Sequence, residues 1–379
     1  MPAHILCVAG ARPNFVKIAP LLAALARSPR FTVKLVHTGQ HYDDKLSKVF
    51  FDELGIRRPD IALDIGSGSH AVQTAEIMKR FEPVVASEKP QGVLVVGDVN
   101  STIGCALVAA KTLLPDPFRF RGGLRRRPVA IHVEAGLRSF DDDMPEEVNR
   151  KLTDAISDLL YVSEPSGLEN LRREGVAEER MAFVGNVMID TLLAARERAM
   201  RSTILDGLGL EPRGYGLCTL HRPANVDDPE ALAQLLAALD DVARRVPLVF
   251  PVHPRTRTRL AEAGVALDPG RWRVTEPIGY LDFLCLMTSA RLVLTDSGGI
   301  QEETTVLGVP CVTLRDNTER PVTITEGTNR LAGTDPTAIR AAAEAALAET
   351  AGGRIPRLWD GHAADRIVAH MASAFDGDR

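Results

Sequence analysis

Short, apolar, β-rich runs alternate with amphipathic helical stretches along almost the whole chain, and this alternation narrows the fold more than any other feature. Candidate strands are Ile5–Ala9, Phe31–His37, Gly92–Val96, Pro128–Val133, Leu159–Val162 and Met181–Val184. A second series follows at Tyr215–Leu220, Leu248–Pro251, Trp272–Val274, Leu292–Thr295 and Cys311–Leu314. Helical periodicity fills the intervals, as in Val16–Ala26, Ser101–Leu114, Glu146–Ser157 and Pro229–Arg244. Strands that are apolar throughout are covered on both faces, so each series predicts a parallel sheet between layers of helices.

At 379 residues the chain is too long for one ordinary domain. The pattern predicts a Rossmann-like domain over residues 1–175 and a second over 176–355. A terminal helix within 356–379 is expected to cross back to the first domain. An apolar content of 45% with a net charge of −5 describes a globular protein with no general attraction to nucleic acid. The five cysteines are scattered through apolar runs, the pattern of reduced, buried thiols. No run approaches the ~20 apolar residues needed to cross a bilayer, so no membrane association is expected. The first apolar run reads as a strand and not a signal peptide, which gives a cytoplasmic expectation.

In doubly wound sheets, ligands bind at the carboxyl ends of the strands, which places distant motifs together. After Leu292–Thr295 come Asp296, Ser297, Gly298 and Gly299, then a helix carrying Glu302 and Glu303. Glycines at a helix start admit a close ligand, and the free N–H groups with the helix dipole suit a phosphate. Glu303 lies about one turn deeper, within reach of a ribose. The stretch is neither a G-x-G-x-x-G fingerprint nor a P-loop, which favours a sugar nucleotide over NAD or ATP. Other strand-end motifs are Gly10-Ala-Arg-Pro-Asn-Phe-Val-Lys17, Gly97-Asp-Val-Asn-Ser-Thr102 and His132-Val-Glu-Ala-Gly-Leu-Arg138, followed by Pro145-Glu-Glu147. The second series adds Thr219-Leu-His-Arg-Pro-Ala-Asn225, Pro251-Val-His-Pro-Arg-Thr256 and Asp316-Asn-Thr-Glu-Arg-Pro321. Arg222, beside His221, suits a pyrophosphate; Arg138 and His253 are further candidate substrate contacts. Read alone, Asp98 serves equally well as a helix cap, and Glu146 and Glu147 as partners of a helix dipole.

These motifs, in this order, resemble the non-hydrolysing UDP-N-acetylglucosamine 2-epimerases from Gly10 to the C-terminal helix. The resemblance implies the GT-B architecture: two Rossmann-like α/β domains with parallel sheets and an inter-domain cleft, usually in a homodimer. It implies reversible C2 epimerisation of UDP-N-acetylglucosamine to UDP-N-acetylmannosamine, by elimination of UDP to 2-acetamidoglucal and re-addition. By position, Asp98, Glu134 and Glu146 match the family's catalytic carboxylates, and His221 its histidine near the leaving phosphate. Arg12 and Lys17 match first-domain cations facing the substrate. Ser297, Gly298 and Gly299 would hold phosphate, Glu303 the ribose, Phe283 the uracil ring, and Arg320 the phosphate again. No metal or other cofactor is implied. The alternatives are an epimerase of a modified UDP-hexosamine, a hydrolysing 2-epimerase, or a GT-B glycosyltransferase.

Three departures stand out. Asn14 occupies a position where many members have Glu. Gln40 is present where members bind an activating second UDP-GlcNAc, but Asp43 replaces a second glutamine and the stretch 66–70 has no arginine, so substrate activation is expected to be weak. Residues 115–127 form an arginine-rich insertion, read as a solvated loop or, alternatively, a contact for acidic partners.

Overall fold

The computed structural model describes residues 2–39, 51–349 and 352–376. Gln40 and Asp43 lie outside the described residues. The chain divides into two compact units, Met1–Thr191 with Arg357–Arg379, and Leu192–Pro356.

The first unit holds β1 (Ala3–Ala9), β2 (Phe31–His37), β3 (Ile61–Ala62), β4 (Gly92–Val96), β5 (Phe118–Phe120), β6 (Gly123–Arg125), β7 (Val129–Ala135), β8 (Leu159–Val162) and β9 (Met181–Phe183). Its seven-stranded sheet has the order β3-β2-β1-β4-β7-β8-β9, parallel throughout. β4 and β7 are buried along their whole length, as an apolar strand between two helical layers must be. The strand order reverses between β1 and β4. The crevice beyond their carboxyl ends is where such sheets take ligands, and Gly10–Arg12 and Asp98 sit there.

The second unit repeats the plan with β10 (Gly216–Thr219), β11 (Leu248–Pro251), β12 (Trp272–Thr275), β13 (Leu292–Thr295), β14 (Cys311–Thr313) and β15 (Asn329–Leu331). The order is β12-β11-β10-β13-β14-β15, again all parallel. Its reversal lies between β10 and β13, which lead into His221 and Ser297.

The first unit continues past residue 175. β9 pairs with β8, and the helix Val187–Ala199 begins before the division at Thr191. The C-terminal helix, Ala363–Asp376, packs Ile367 and Met371 into the same core as Ile5 and Ile131. Two anchors precede it. The Trp359 indole donates to the Ser163 carbonyl at 2.8 Å, and Asp190 accepts the N–H groups of Ala363 and Ala364 at 3.1 and 2.7 Å.

The arginine-rich insertion is an ordered antiparallel hairpin, β5–β6. Phe118 and Phe120 pack on Phe375 of the C-terminal helix. Arg125 grips Asp158 with two nitrogens at 2.6 and 2.8 Å, while Arg126 and Arg127 donate to the Leu114 and Ala110 carbonyls. The segment is thus an ordered hairpin rather than an irregular loop, with Arg119, Arg121, Arg126 and Arg127 exposed to solvent as expected.

Asn14 has a local explanation. Its Oδ1 accepts the N–H groups of Gly10 and Ala11 at 3.1 and 3.0 Å, and its Nδ2 donates to the Val96 carbonyl at 3.1 Å. A carboxylate accepts but cannot donate. Asn14→Asp is therefore expected to cost about 1–3 kcal/mol, because a carboxylate oxygen would face the Val96 carbonyl with no hydrogen between them although Thr102 Oγ1 still donates to that carbonyl at 3.0 Å, read by urea unfolding.

Candidate active site

In the first unit, Glu134 is the most constrained residue. It lies at the end of β7 where the register with β8 shifts, and its φ is +74°, unusual for a residue with a side chain. A bulge of this kind re-aims a side chain that would otherwise alternate into the sheet. Glu134 is buried, and Lys17 Nζ lies 2.5 Å from its Oε2. Lys17 comes from the helix Arg12–Arg27 that follows β1, so the pair joins two strand ends. Arg12 opens that helix.

Asp98, at the tip of β4, keeps 24% of its side chain exposed and pairs with Arg150 Nη1 at 3.1 Å. Asn149 donates to the Asp98 carbonyl at 2.9 Å. Both partners come from the helix Pro145–Ile156, whose first turn carries Glu146 and Glu147. These neighbours differ in role. Glu147 is fully buried and accepts from Ser139 N, Ser139 Oγ, Phe140 N and Arg150 Nε at 3.0–3.2 Å. It clamps the preceding loop and holds Phe140 at φ +57°. Glu146 is half-buried at the helix N-terminus.

Arg138 is held by carboxylates of its own unit. Its guanidinium is buried, 2.7 Å from Asp154, and donates to Glu174 at 2.8 and 2.6 Å and to the Leu137 carbonyl at 2.7 Å. It braces the loop after β7.

In the second unit, His221 and Ser297 follow neighbouring strands. His221 Nδ1 lies 2.8 Å from the fully buried Asp296, which also accepts the N–H groups of His221 and Arg222 at 3.0 and 2.9 Å. Burial pushes the Asp296 carboxyl up, but His221 and the two N–H groups outweigh it and hold the group below its ordinary range. The ionised carboxylate takes Nδ1–H and leaves Nε2 as the nitrogen available to a ligand. His221 is half-exposed, as that role needs.

Ser297, Gly298 and Gly299 open the helix Gly298–Leu307. Its first N–H groups have no intrahelical acceptor and carry the positive end of the dipole. Gly298 is required by a close neighbour: a Cβ there would stand 2.5 Å from Arg320 Nη1. Arg320 is buried, with Glu302 at 2.8 Å and Glu319 at 3.2 Å. Glu319 also pairs with Arg315 at 2.8 Å and lies 3.8 Å from Arg222. Glu303 is buried and accepts from the Tyr280 hydroxyl at 3.2 Å. Burial pushes its carboxyl up to about 8, the Tyr280 hydrogen bond opposing the rise and nearby Glu302 adding to it. Phe283 is half-buried while Leu284 and Met287 on the same helix are fully buried, so its ring lies off the core-facing side. His253 is exposed and caps the helix Pro254–Glu262, its Nδ1 accepting Arg255 N–H at 3.3 Å.

A profile of the UDP-N-acetylglucosamine 2-epimerase family matches residues 23–372. The chain belongs to that family. It is 40% identical to the UDP-N-acetylglucosamine 2-epimerase of Methanococcus maripaludis, over 87% of each chain. It is 39% identical to the UDP-2,3-diacetamido-2,3-dideoxy-D-glucuronate 2-epimerase of Pseudomonas aeruginosa, over 97% of this chain and 99% of the relative. The crystal structure of Methanocaldococcus jannaschii UDP-GlcNAc 2-epimerase in complex with UDP-GlcNAc and UDP superposes with a TM-score of 0.88 at 37% identity, covering 97% of this chain and 98% of that one. The two parallel-sheet units are thus those of a GT-B-like 2-epimerase.

Three residues to which the sequence alone assigned no role support the expected ones. Asp296, Glu302 and Tyr280 each hold a candidate ligand-binding group by a direct bond or ion pair. Asp296 and Glu302 lie within the glycine-rich motif itself, and an acidic residue next to a phosphate site is a signal that a buried partner cation is near.

Proposed function

We propose that this chain interconverts UDP-N-acetylglucosamine and UDP-N-acetylmannosamine without net hydrolysis. One observation carries the reading: a buried glutamate, Glu134, is held in a left-handed bulge against Lys17, on the strand next to the one that leads into Asp98. The C2–H bond has no neighbouring carbonyl to acidify it, so a carboxylate must remove that proton as the C1–O bond to UDP breaks. The products are 2-acetamidoglucal, with a C1=C2 double bond, and UDP. On return, a UDP oxygen adds to C1 while a proton reaches C2 from the opposite face. Asp98, Glu134 and Glu146 supply the proton carriers. The second unit holds the departing UDP: N–H groups of Ser297–Gly299 and Arg320 support the phosphates, His221 Nε2 faces them, Glu303 takes the ribose and Phe283 the base.

Glu303 makes UDP binding pH-dependent. Ribose hydroxyls donate best to an ionised carboxylate, so UDP favours the charged form and binding releases a proton. The free protein keeps that proton until the pH rises through about 8, so UDP affinity rises from pH 7 and levels off above about 8. Titration calorimetry at pH 7 in buffers of different ionisation enthalpy should show the release, and Glu303→Gln should abolish it.

A second substrate is favoured by the Pseudomonas aeruginosa relative, which matches nearly end to end. A side-by-side assay of UDP-N-acetylglucosamine and UDP-2,3-diacetamido-2,3-dideoxy-D-glucuronate decides between them by kcat/KM. Free UDP accumulating in step with free sugar would instead favour hydrolysis. The homodimer predicts sedimentation at twice the 41.1 kDa chain mass. Five free, buried thiols fit a reducing compartment, the cytoplasm. No helix among the described residues is long and apolar enough to cross a membrane.

A further inference from the structure

Behind the carboxylates of the first unit lies an ionic group that neither binds substrate by any contact described above nor belongs to a hydrophobic core. His132 and Asp154 are both fully buried, with His132 Nδ1 2.7 Å from Asp154 Oδ1. His132 Nε2 lies 2.8 Å from the Gly97 carbonyl. Asp154 Oδ2 accepts the Gly136 N–H at 3.0 Å and sits 2.7 Å from Arg138 Nη1.

Donor and acceptor bookkeeping defines the protons. The Gly97 carbonyl can only accept, so Nε2 carries hydrogen. Asp154 faces a guanidinium and a backbone N–H, and His132 and Arg138 hold its carboxyl below its ordinary range against the rise that burial causes. It is therefore ionised and can only accept. Each His132 ring nitrogen thus faces an acceptor, the Asp154 carboxylate on one side and the Gly97 carbonyl on the other.

The two ends of this group reach two catalytic turns. Gly97, at φ +67°, directly precedes Asp98. Gly136, at φ +81°, lies just after Glu134. Neither turn has an ordinary backbone conformation, and β4 and β7 are adjacent strands joined only up to Val96 and Val133. Beyond that last rung the Gly97 N–H still reaches the Val133 carbonyl at 3.1 Å, and the His132–Asp154 pair links the Gly97 carbonyl to the Gly136 N–H.

We propose that the His132–Asp154 pair is a positioning device for proton transfer, fixing Asp98 and Glu134 relative to each other. This rests on the epimerase reading. A misplacement of about 1 Å is enough to cost about 100-fold in turnover, with no loss of nucleotide binding. Glutamine at 132 donates from one atom only, and its amide oxygen would face either the Asp154 carboxylate or the Gly97 carbonyl.

The test is turnover of 2-deuterated and ordinary UDP-N-acetylglucosamine by His132→Gln and Asp154→Asn, each normalised to sites that bind UDP. For His132→Gln, kcat per site should fall about 100-fold, with UDP affinity within about threefold and a C2 isotope effect at or above the wild-type value. Asp154→Asn keeps the shape and removes the charge, and should lose about tenfold per site; it decides the matter if His132→Gln fails to fold. A purely structural role would reduce the number of UDP-binding sites and leave turnover per site unchanged. Turnover per site within threefold of wild type, or a vanished isotope effect, overturns the proposal. Wild-type protein that leaves C2 unlabelled in D2O overturns the epimerase reading instead.

Discussion

Glu134→Gln is expected to lower kcat by on the order of 1000-fold, with UDP affinity nearly unchanged. The amide keeps the volume and shape of the carboxylate but cannot carry a proton to or from C2. Its site is unusually specified: burial, φ +74° and a 2.5 Å contact with Lys17 all act on one side chain. Backbone strain of about 1–3 kcal/mol persists only where the surroundings enforce it, and here the bulge and the Lys17 pair do so. The loss should appear in kcat and kcat/KM together, the signature of an interaction made in the transition state. A fall of less than tenfold would remove Glu134 from the proton path and leave Asp98 and Glu146 to carry it.

Arg320→Met should have the largest effect on stability, a loss of about 3–5 kcal/mol in urea unfolding. Arg320 lies between Glu302 at 2.8 Å and Glu319 at 3.2 Å, both buried. Glu319 keeps Arg315 as a partner at 2.8 Å, whereas Glu302 would lose the guanidinium 2.8 Å from it. Removing one member of a buried pair takes the close counter-charge from the other, which costs more than the pair contributed. Adding Glu302→Gln should restore part of the stability but not UDP affinity, because the cation beneath Gly298 would still be missing. A single variant within 1 kcal/mol of wild type would contradict this account of the phosphate helix.

Much of this was legible in the chain. Long apolar strands and the motifs at their ends appear within a residue or two of their expected places, because a strand buried on both faces has a nearly context-free signature. β3, with two residues, and β15, with three, are too short to show a period. The hairpin at Phe118–Arg125 was hidden by its arginines, whose charges suggest solvent although their partners lie elsewhere in the unit. Side-chain roles were harder still. Pro145-Glu-Glu147 presents two equal carboxylates in sequence, yet only the helix turn decides that Glu147 points inward and Glu146 does not. Arg138 looked like a substrate cation because nothing local reveals Asp154 and Glu174, its partners 16 and 36 positions further along the chain. The unit boundary moved to Thr191 because β9 joins the first sheet by strand pairing, a long-range fact.

The most direct test is proton NMR of UDP-N-acetylglucosamine incubated with the purified protein in D2O and followed to equilibrium. UDP-N-acetylmannosamine carrying deuterium at C2 is expected, with no accumulation of free UDP. Epimer formed with protium retained at C2, or no exchange at all with that substrate and with its 2,3-diacetamido uronate analogue, would contradict it.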